Sequence, residues 1–400
     1  MESGSSSVSP AADLMVKVSL PFLLLGLLAL PVKADIGEAD RLLADSLQEI
    51  RLNKLESALT SINKLLDRYP NFRLAQLIKG DLLLARAKPI STLGNAQGGI
   101  DQQADLREEA KARIQAISDP VGPTLIPEEL MSLSSDIRYA LAVDASRARL
   151  YVFENTGSGL RRVADYYVTM GKLGIGKNRE GDKRTPIGMY TITSFKPDSE
   201  LEELYGVGAY PLSYPNEWDI RLNRNGYGIW LHGVPRDTYS RPPKASDGCV
   251  VLSNEDLKQL GRYISIGKTP VIISPSLTWS DPESLSVARD ELNESIENWR
   301  KDWESRDTER LLGHYSREFR DGKNDFQSFA SSKRRVNAGK SWIKINLSGL
   351  SIYRQPGQAD MAIVSFDQDY RSSNLENLSR KRQYWQRENG RWRIIQETIL

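Results

Sequence analysis

One cysteine and two histidines are all the thiol and imidazole in this 400-residue chain, so chemistry built on either group has few candidates. Cys249 lies in Ser246-Asp247-Gly248-Cys249-Val250-Val251-Leu252, seventeen residues after His232, which ends the run Gly228-Ile229-Trp230-Leu231-His232-Gly233. A free thiol with a pKa near 8.5 is mostly protonated at neutral pH, and becomes a nucleophile when a neighbouring base takes its proton. His232, at the end of a strand-like run, is the residue type for that base, whereas His314 in the tail reads as a surface residue. Gly248 and Gly233 let main chain approach a ligand closely, and amides around Gly248 and Cys249 are placed to form an oxyanion hole. The Pro-rich stretch from Arg236 to Lys244 joins the two halves and is suited to fold over them as a lid. A blander alternative stands beside this one, in which the lone cysteine is a small buried hydrophobe and the histidine a satisfied polar residue.

Other chemistries find less support. One cysteine and two separated histidines offer no metal-ligand cluster, so neither metal nor cofactor is expected. The stretch Gly171-Lys172-Leu173-Gly174-Ile175-Gly176-Lys177 lacks the Ser or Thr after lysine and the strand-to-helix setting of a phosphate loop, and reads as a glycine-rich hairpin. Lys+Arg of 54 against Asp+Glu of 52 leaves a net charge of +2, which gives no electrostatic footprint for nucleic acid. Arg380-Lys381-Arg382 is expected to be a solvated strand edge.

The compartment bears on the thiol. The apolar run Ser19 to Leu30 is shorter than the roughly 20 residues of a membrane span and is followed by Val32-Lys33-Ala34. That pattern predicts a secretory signal over residues 1–34, with Met15 as the true start, cleavage after Ala34 and a periplasmic product; an uncleaved anchor is the alternative. Exported chains normally pair their cysteines, so a single one is either inert or a free reactive thiol.

A mature chain of this length exceeds one core, and its pattern changes several times. Residues 35–88 carry helical stripes, Leu42-Leu43-Leu47-Ile50 and Leu55-Leu59-Ile62-Leu66, with small-residue and proline spacing like that of a tetratricopeptide helix pair; such a region would dock a protein partner, and a plain helical hairpin is the alternative. Residues 89–127 form a linker with one charged helix, ending at Asp119-Pro120-Val121-Gly122-Pro123. Residues 128–276 are mostly strand-like, with runs at Tyr139–Val143, Leu150–Phe153, Asp165–Met170, Met189–Ile192 and Pro270–Ser274, and one helix capped by Ser253. Residues 283–400 open with helices, Ile296, Trp299 and Trp303 sharing one face, and continue as strands that end in a hairpin turning at Asn389-Gly390. The fold class is therefore multidomain α+β.

The central segment resembles the L,D-transpeptidase catalytic-domain (YkuD-like) family. The resemblance rests on Leu231-His232-Gly233, on Ser246 to Leu252, and upstream on Gly181-Asp182-Lys183-Arg184-Thr185-Pro186-Ile187-Gly188-Met189-Tyr190. It implies a β-rich fold whose cysteine attacks the carbonyl of an L-centred residue, typically diaminopimelate, in a peptidoglycan stem tetrapeptide and releases D-alanine. On that resemblance Cys249 is the nucleophile, His232 the base and the Gly233 carbonyl the group that orients the imidazole, while Ser246 and Gly248 shape the turn. Asp247 and Val251 stand where many relatives carry histidine and arginine or asparagine, and a carboxylate at 247 would raise the thiol pKa unless it is turned to Lys244 or His232. If an amine accepts the acyl group the enzyme crosslinks; if water does, it trims tetrapeptides to tripeptides. A retired, wall-binding domain is the non-enzymatic alternative. The tail resembles an NTF2-like domain, a curved sheet over helices, which some wall-peptide trimming relatives also carry.

Overall fold

The computed structural model describes residues 37–87, 94, 100–322 and 324–400. The expected signal segment, residues 1–34, and much of the expected linker between 88 and 99 lie outside them. No helix among the described residues is long and apolar enough to cross a membrane.

The chain divides into two compact units. The first is helical, with Glu38–Arg51, Leu55–Arg68 and Arg73–Ala85 packed through Leu43, Ala58, Ile62, Leu65, Leu74 and Ile78. Ala58 and Leu65, rather than Leu55 and Leu66, centre the buried stripe of the second helix, because Ala58 lets the helices close until the Ser46 hydroxyl donates to its carbonyl at 3.1 Å.

The second unit holds the central domain and the tail. A five-stranded sheet runs Leu160–Tyr167, Arg149–Asn155, Tyr139–Asp144, Pro270–Ser274, Gly188–Thr191, with only the Tyr139–Asp144 and Pro270–Ser274 pair parallel. A four-stranded sheet runs Val250–Val251, Trp230–His232, Gly208–Pro211, Lys196–Pro197. Successive strand residues face opposite sides, so the nearly continuous apolar run Tyr139-Ala140-Leu141-Ala142-Val143 can fill two cores. Leu141, Val143, Leu150, Val152, Val271 and Ile273 pack against Leu231, Val250 and Leu252 of the smaller sheet. Ala140, Ala142, Tyr151, Phe153 and Ile272 face the other way and pack against Tyr353, Met361, Ile363, Tyr384 and Ile395 of the tail.

The tail therefore shares a core with the central domain. Its sheet has seven strands in the order Asn324–Asp325, Tyr315–Asp321, Arg391–Ile399, Leu375–Glu388, Met361–Ser372, Ile343–Arg354, Leu130–Ser132. The last of these comes from the start of the central segment and covers what would otherwise be an open edge. On the other face of the sheet, Trp299, Trp303 and Ile296 of helix Pro282–Glu304 meet Val364, Phe366 and Trp385. That helix is capped by Asp281, which accepts from the Ser284 amide at 2.9 Å, with Pro282 at its first position. Asn389 and Gly390 take φ of 50° and 77°, the left-handed pair that a two-residue hairpin needs.

Arg380-Lys381-Arg382 is not the solvated edge the sequence suggests. Lys381 and Arg382 are buried by the tail's packing, and each keeps its charge by pairing, Lys381 with Glu397 at 2.7 Å and Arg382 with Glu217 at 3.0 Å. His314 is half-buried rather than a surface residue, its Nε2 2.8 Å from Asp302.

Candidate active site

Parallel pairing of Leu231 with Val250 and of His232 with Val251 sets the site. Leu231 and Val250 both enter the core between the sheets, so by alternation Trp230, His232 and Cys249 share the opposite face. Register puts Cys249 opposite Trp230 and on the diagonal from His232, a spacing of about 7–8 Å between backbones that side chains can bridge. Residues seventeen apart in sequence thus become neighbours through one pair of strands.

The imidazole is fixed from behind. His232 is 3% exposed, its Nδ1 lies 2.7 Å from the Gly233 carbonyl, and the Tyr205 ring stands edge-on to it with centroids 5.0 Å apart. A carbonyl can only accept, so Nδ1 carries the proton and Nε2 is left as the basic nitrogen. Burial pushes the imidazolium pKa down to about 4, with Arg241 adding to the shift. A Cβ at Gly233 would fall 2.2 Å from Asn254 Oδ1, and that amide clamps the strand end, accepting from Val207 and Val234 N–H at 3.2 Å each. The missing side chain at Gly233 is what lets this clamp close.

The thiol sits on a turn built by Ser246. The Ser246 hydroxyl donates to the Cys249 carbonyl at 2.6 Å and accepts from the Gly248 amide at 3.1 Å. Gly248 has φ of +131° and lies against the Arg184 carbonyl, which would be 2.9 Å from a Cβ, so no other residue fits the turn without strain. Its amide is therefore engaged, whereas the Cys249 amide meets no acceptor among the described residues. Cys249 Sγ donates to the Gly228 carbonyl at 3.3 Å. Burial is the chief cause that raises the thiol to about 11; Asp247 adds to it, and the Trp230 amide, Lys177 and Arg241 work against it.

With the thiol at about 11 and the imidazolium at about 4, the resting pair is neutral thiol and neutral imidazole between roughly pH 5 and 10. Asp247 is turned to Lys172, 3.1 Å away, rather than to Lys244 or His232, and both side chains of that pair are largely exposed. The upstream block Gly181 to Tyr190 supports the turn. Asp182 gathers the amides of Asn178, Arg179 and Arg184 and the Lys177 ammonium, at 2.7 to 3.1 Å, and Thr185 Oγ1 accepts from the Gly171 amide at 2.9 Å.

Residues 138–273 match the family model described as the L,D-transpeptidase catalytic domain, and residues 291–398 match the one described as the Cds6 C-terminal NTF2-like domain. The chain carries an L,D-transpeptidase catalytic domain followed by an NTF2-like domain. Among solved structures it is similar to Bd1075 of Bdellovibrio bacteriovorus, at 29% identity and a TM-score of 0.61 over 69% of this chain and 98% of that one. It is also similar to the helical cell shape determining protein Pgp2 of Campylobacter jejuni, at 25% identity and a TM-score of 0.57 over 67% of this chain and 95% of that one. No curated protein matches it.

Within the transpeptidase domain, His232, Gly233, Ser246, Gly248 and Cys249 come together at one strand end and its adjoining turn, while Asp247 points outward. Sequence reasoning missed Tyr205, Lys172 and Arg241. Tyr205 reaches the site from a 3-10 turn, Glu203–Tyr205, with no motif of its own. Lys172 was legible only as part of a glycine-rich hairpin, and Arg241 only as part of a lid.

Proposed function

We propose that this protein is a periplasmic cysteine L,D-transpeptidase acting on peptidoglycan stem tetrapeptides through a thioacyl-enzyme. The observation that carries this reading is the placement of Cys249 and His232 on one face of adjacent parallel strands, with imidazole Nδ1 committed to the Gly233 carbonyl. Nε2 of His232 takes the thiol proton as Sγ leaves the Gly228 carbonyl and attacks the carbonyl of the third, L-centred residue. The resting pair is neutral, so the thiol has to give its proton to His232 in the course of the reaction. The developing oxyanion meets the free Cys249 amide, and the imidazolium returns its proton to the departing D-alanine nitrogen as the thioester forms. An acceptor amine then attacks the thioester, transferring its proton to His232, and frees Sγ. The likeness to a helical cell shape determining protein extends the reading to cell shape, set through the wall.

A second reading keeps the first half of this cycle and lets water accept the acyl group, trimming tetrapeptides to tripeptides. The NTF2-like tail favours it, because the resemblance drawn from the sequence includes wall-peptide trimming relatives that carry such a tail. One experiment tests both: incubate the chain and Cys249→Ala with disaccharide tetrapeptide and with sacculi, and follow intact mass and products. A transient acyl adduct and D-alanine release from the wild type alone are expected, with dimers or bare tripeptides naming the acceptor. No adduct, with equal turnover in Cys249→Ala, would refute the thiol mechanism.

A further inference from the structure

Arg241 lies in the stretch between His232 and Cys249, ahead of Pro242-Pro243, which holds it in an extended conformation. Its carbonyl accepts from Tyr167 Oη at 2.9 Å and Thr169 Oγ1 at 3.0 Å, and the next turn is tied by the Met170 amide to the Pro243 carbonyl at 2.8 Å. Thr169 is in turn bridged to Val251, two residues past the thiol, by hydrogen bonds of 2.9 and 2.8 Å. The stretch is thus a strap fastened beside the site.

The Arg241 guanidinium is half-buried and makes no ion pair among the described residues, whereas Arg149, Arg224 and Arg236 of the same domain pair with Asp165, Asp219 and Asp198. The acidic neighbour that could neutralise it, Asp247, is turned to Lys172. A half-buried guanidinium with no carboxylate is poorly solvated and suited to an anion that arrives from outside. The Arg241 charge favours the Cys249 thiolate and disfavours the His232 imidazolium, so its field reaches both groups of the site.

We propose that Arg241 binds the free terminal carboxylate of the donor peptide, so that the site reads a chain end one residue beyond the bond it breaks. The assignment rests on the thioacyl reading above. Bond lengths put that carboxylate carbon within about 4 Å of the scissile carbonyl carbon, which places it beside the thiol whichever side it enters. The planar guanidinium fits a carboxylate with two parallel hydrogen bonds, a fit that lysine cannot reproduce. A pentapeptide carries its carboxylate about 3.5 Å further on, so on this assignment it is the poorer donor.

The test compares a tetrapeptide ending in carboxylate with the same peptide ending in carboxamide. Acylation by wild type, Arg241→Lys and Arg241→Gln is measured, together with binding to Cys249→Ala with and without Arg241→Gln. Wild type is expected to prefer the carboxylate by roughly 10- to 100-fold, mostly in KM. That ratio should collapse towards one in Arg241→Gln and recover in part in Arg241→Lys, with thermal melting unchanged. A ratio that persists in Arg241→Gln overturns the assignment, as does a preference that follows amidation of the diaminopimelate side chain instead of the chain end. If no peptide acylates wild type but Cys249→Ala binds the carboxylate form through Arg241, the thioacyl reading fails and the Arg241 site stands. If the carboxylate form does not bind either, both fall.

Discussion

Glu217→Gln tests whether the catalytic domain and the tail are one cooperative body. Glu217 belongs to the catalytic domain, yet both its carboxylate oxygens accept from Arg382 Nη1, at 3.0 and 3.1 Å, and Tyr384 Oη donates to Oε2 at 3.1 Å. The Arg382 side chain is 9% exposed and, among the described residues, has Ser365 Oγ at 3.2 Å as its other side-chain partner. Beside this pair Trp218 stacks on Tyr384 with centroids 5.1 Å apart and planes 21° apart, and the Glu217 carbonyl accepts from Gln396 Nε2 at 3.1 Å. Neutralising the carboxylate leaves the guanidinium buried and uncompensated, which costs 3–5 kcal/mol where such pairs are broken from one side, as an order of magnitude. The glutamine still offers an acceptor, so about 3 kcal/mol is expected.

Urea unfolding followed by tryptophan fluorescence reads this loss as a midpoint lowered by about 1 M, for a slope near 3 kcal/mol/M. A single transition should persist, because the shared core links both bodies. Adding Arg382→Gln removes the stranded charge, so the double variant should be more stable than Glu217→Gln alone and the cycle should show coupling of about 2 kcal/mol. A loss below about 1 kcal/mol, additive single variants, or two separated transitions would refute the argument.

Three further outcomes follow from the titrating groups. His232 is held at about 4 against 6.5 in the unfolded chain, so its contribution is intact above pH 6.5 and is lost as pH falls towards 4; His232→Gln should flatten that arm of the stability curve, by on the order of 3 kcal/mol. Buried Glu129 is raised to about 7 from 4.5 by desolvation, so its contribution is present below pH 4.5 and lost as pH rises through 7; Glu129→Gln should make the protein more stable at pH 8 while changing little at pH 4, in paired melting curves. Asp247 raises the thiol pKa, and Asp247→Asn should move the pH midpoint of Cys249 alkylation downward; an unchanged midpoint would mean that Lys172 already cancels the carboxylate.

The pair at the centre of the site was legible because scarcity and spacing both singled it out. One cysteine, and one histidine at a strand end, left few assignments to weigh. The helical face of Ile296, Trp299 and Trp303 and the Asn389-Gly390 turn were legible for the local reason that helix period and turn conformation are properties of neighbouring residues. What stayed hidden depends on partners far away in the chain. The alternation of Ala140, Leu141, Ala142 and Val143 announces burial on both faces, but nothing in it says that the second face meets Ile363 and Tyr384. The occupation of the Gly248 amide by Ser246, the turning of Asp247 to Lys172 and the arrival of Arg241 all follow from how loops close in three dimensions.

That second face decides what the tail can do to the site. The five-stranded sheet lies between two cores, with the tail's sheet on one side and the sheet bearing His232 and Cys249 on the other. At about 10 Å per packed layer, the tail's sheet stands roughly 20 Å from the thiol, so its sheet does not line the reacting groups. Deleting residues 283–400 would bare Tyr151, Phe153, Ala140, Ala142 and Ile272, and would also remove the partner strand of Leu130–Ser132. An apolar face of that kind on a monomer drives association, so the truncated chain should be lost to aggregation rather than survive as an enzyme of altered specificity. Soluble yield, unfolding and turnover of the truncated chain measure this directly. A soluble, cooperatively folding catalytic domain with wild-type turnover would show that the shared core is dispensable and that the tail's contribution is to docking alone.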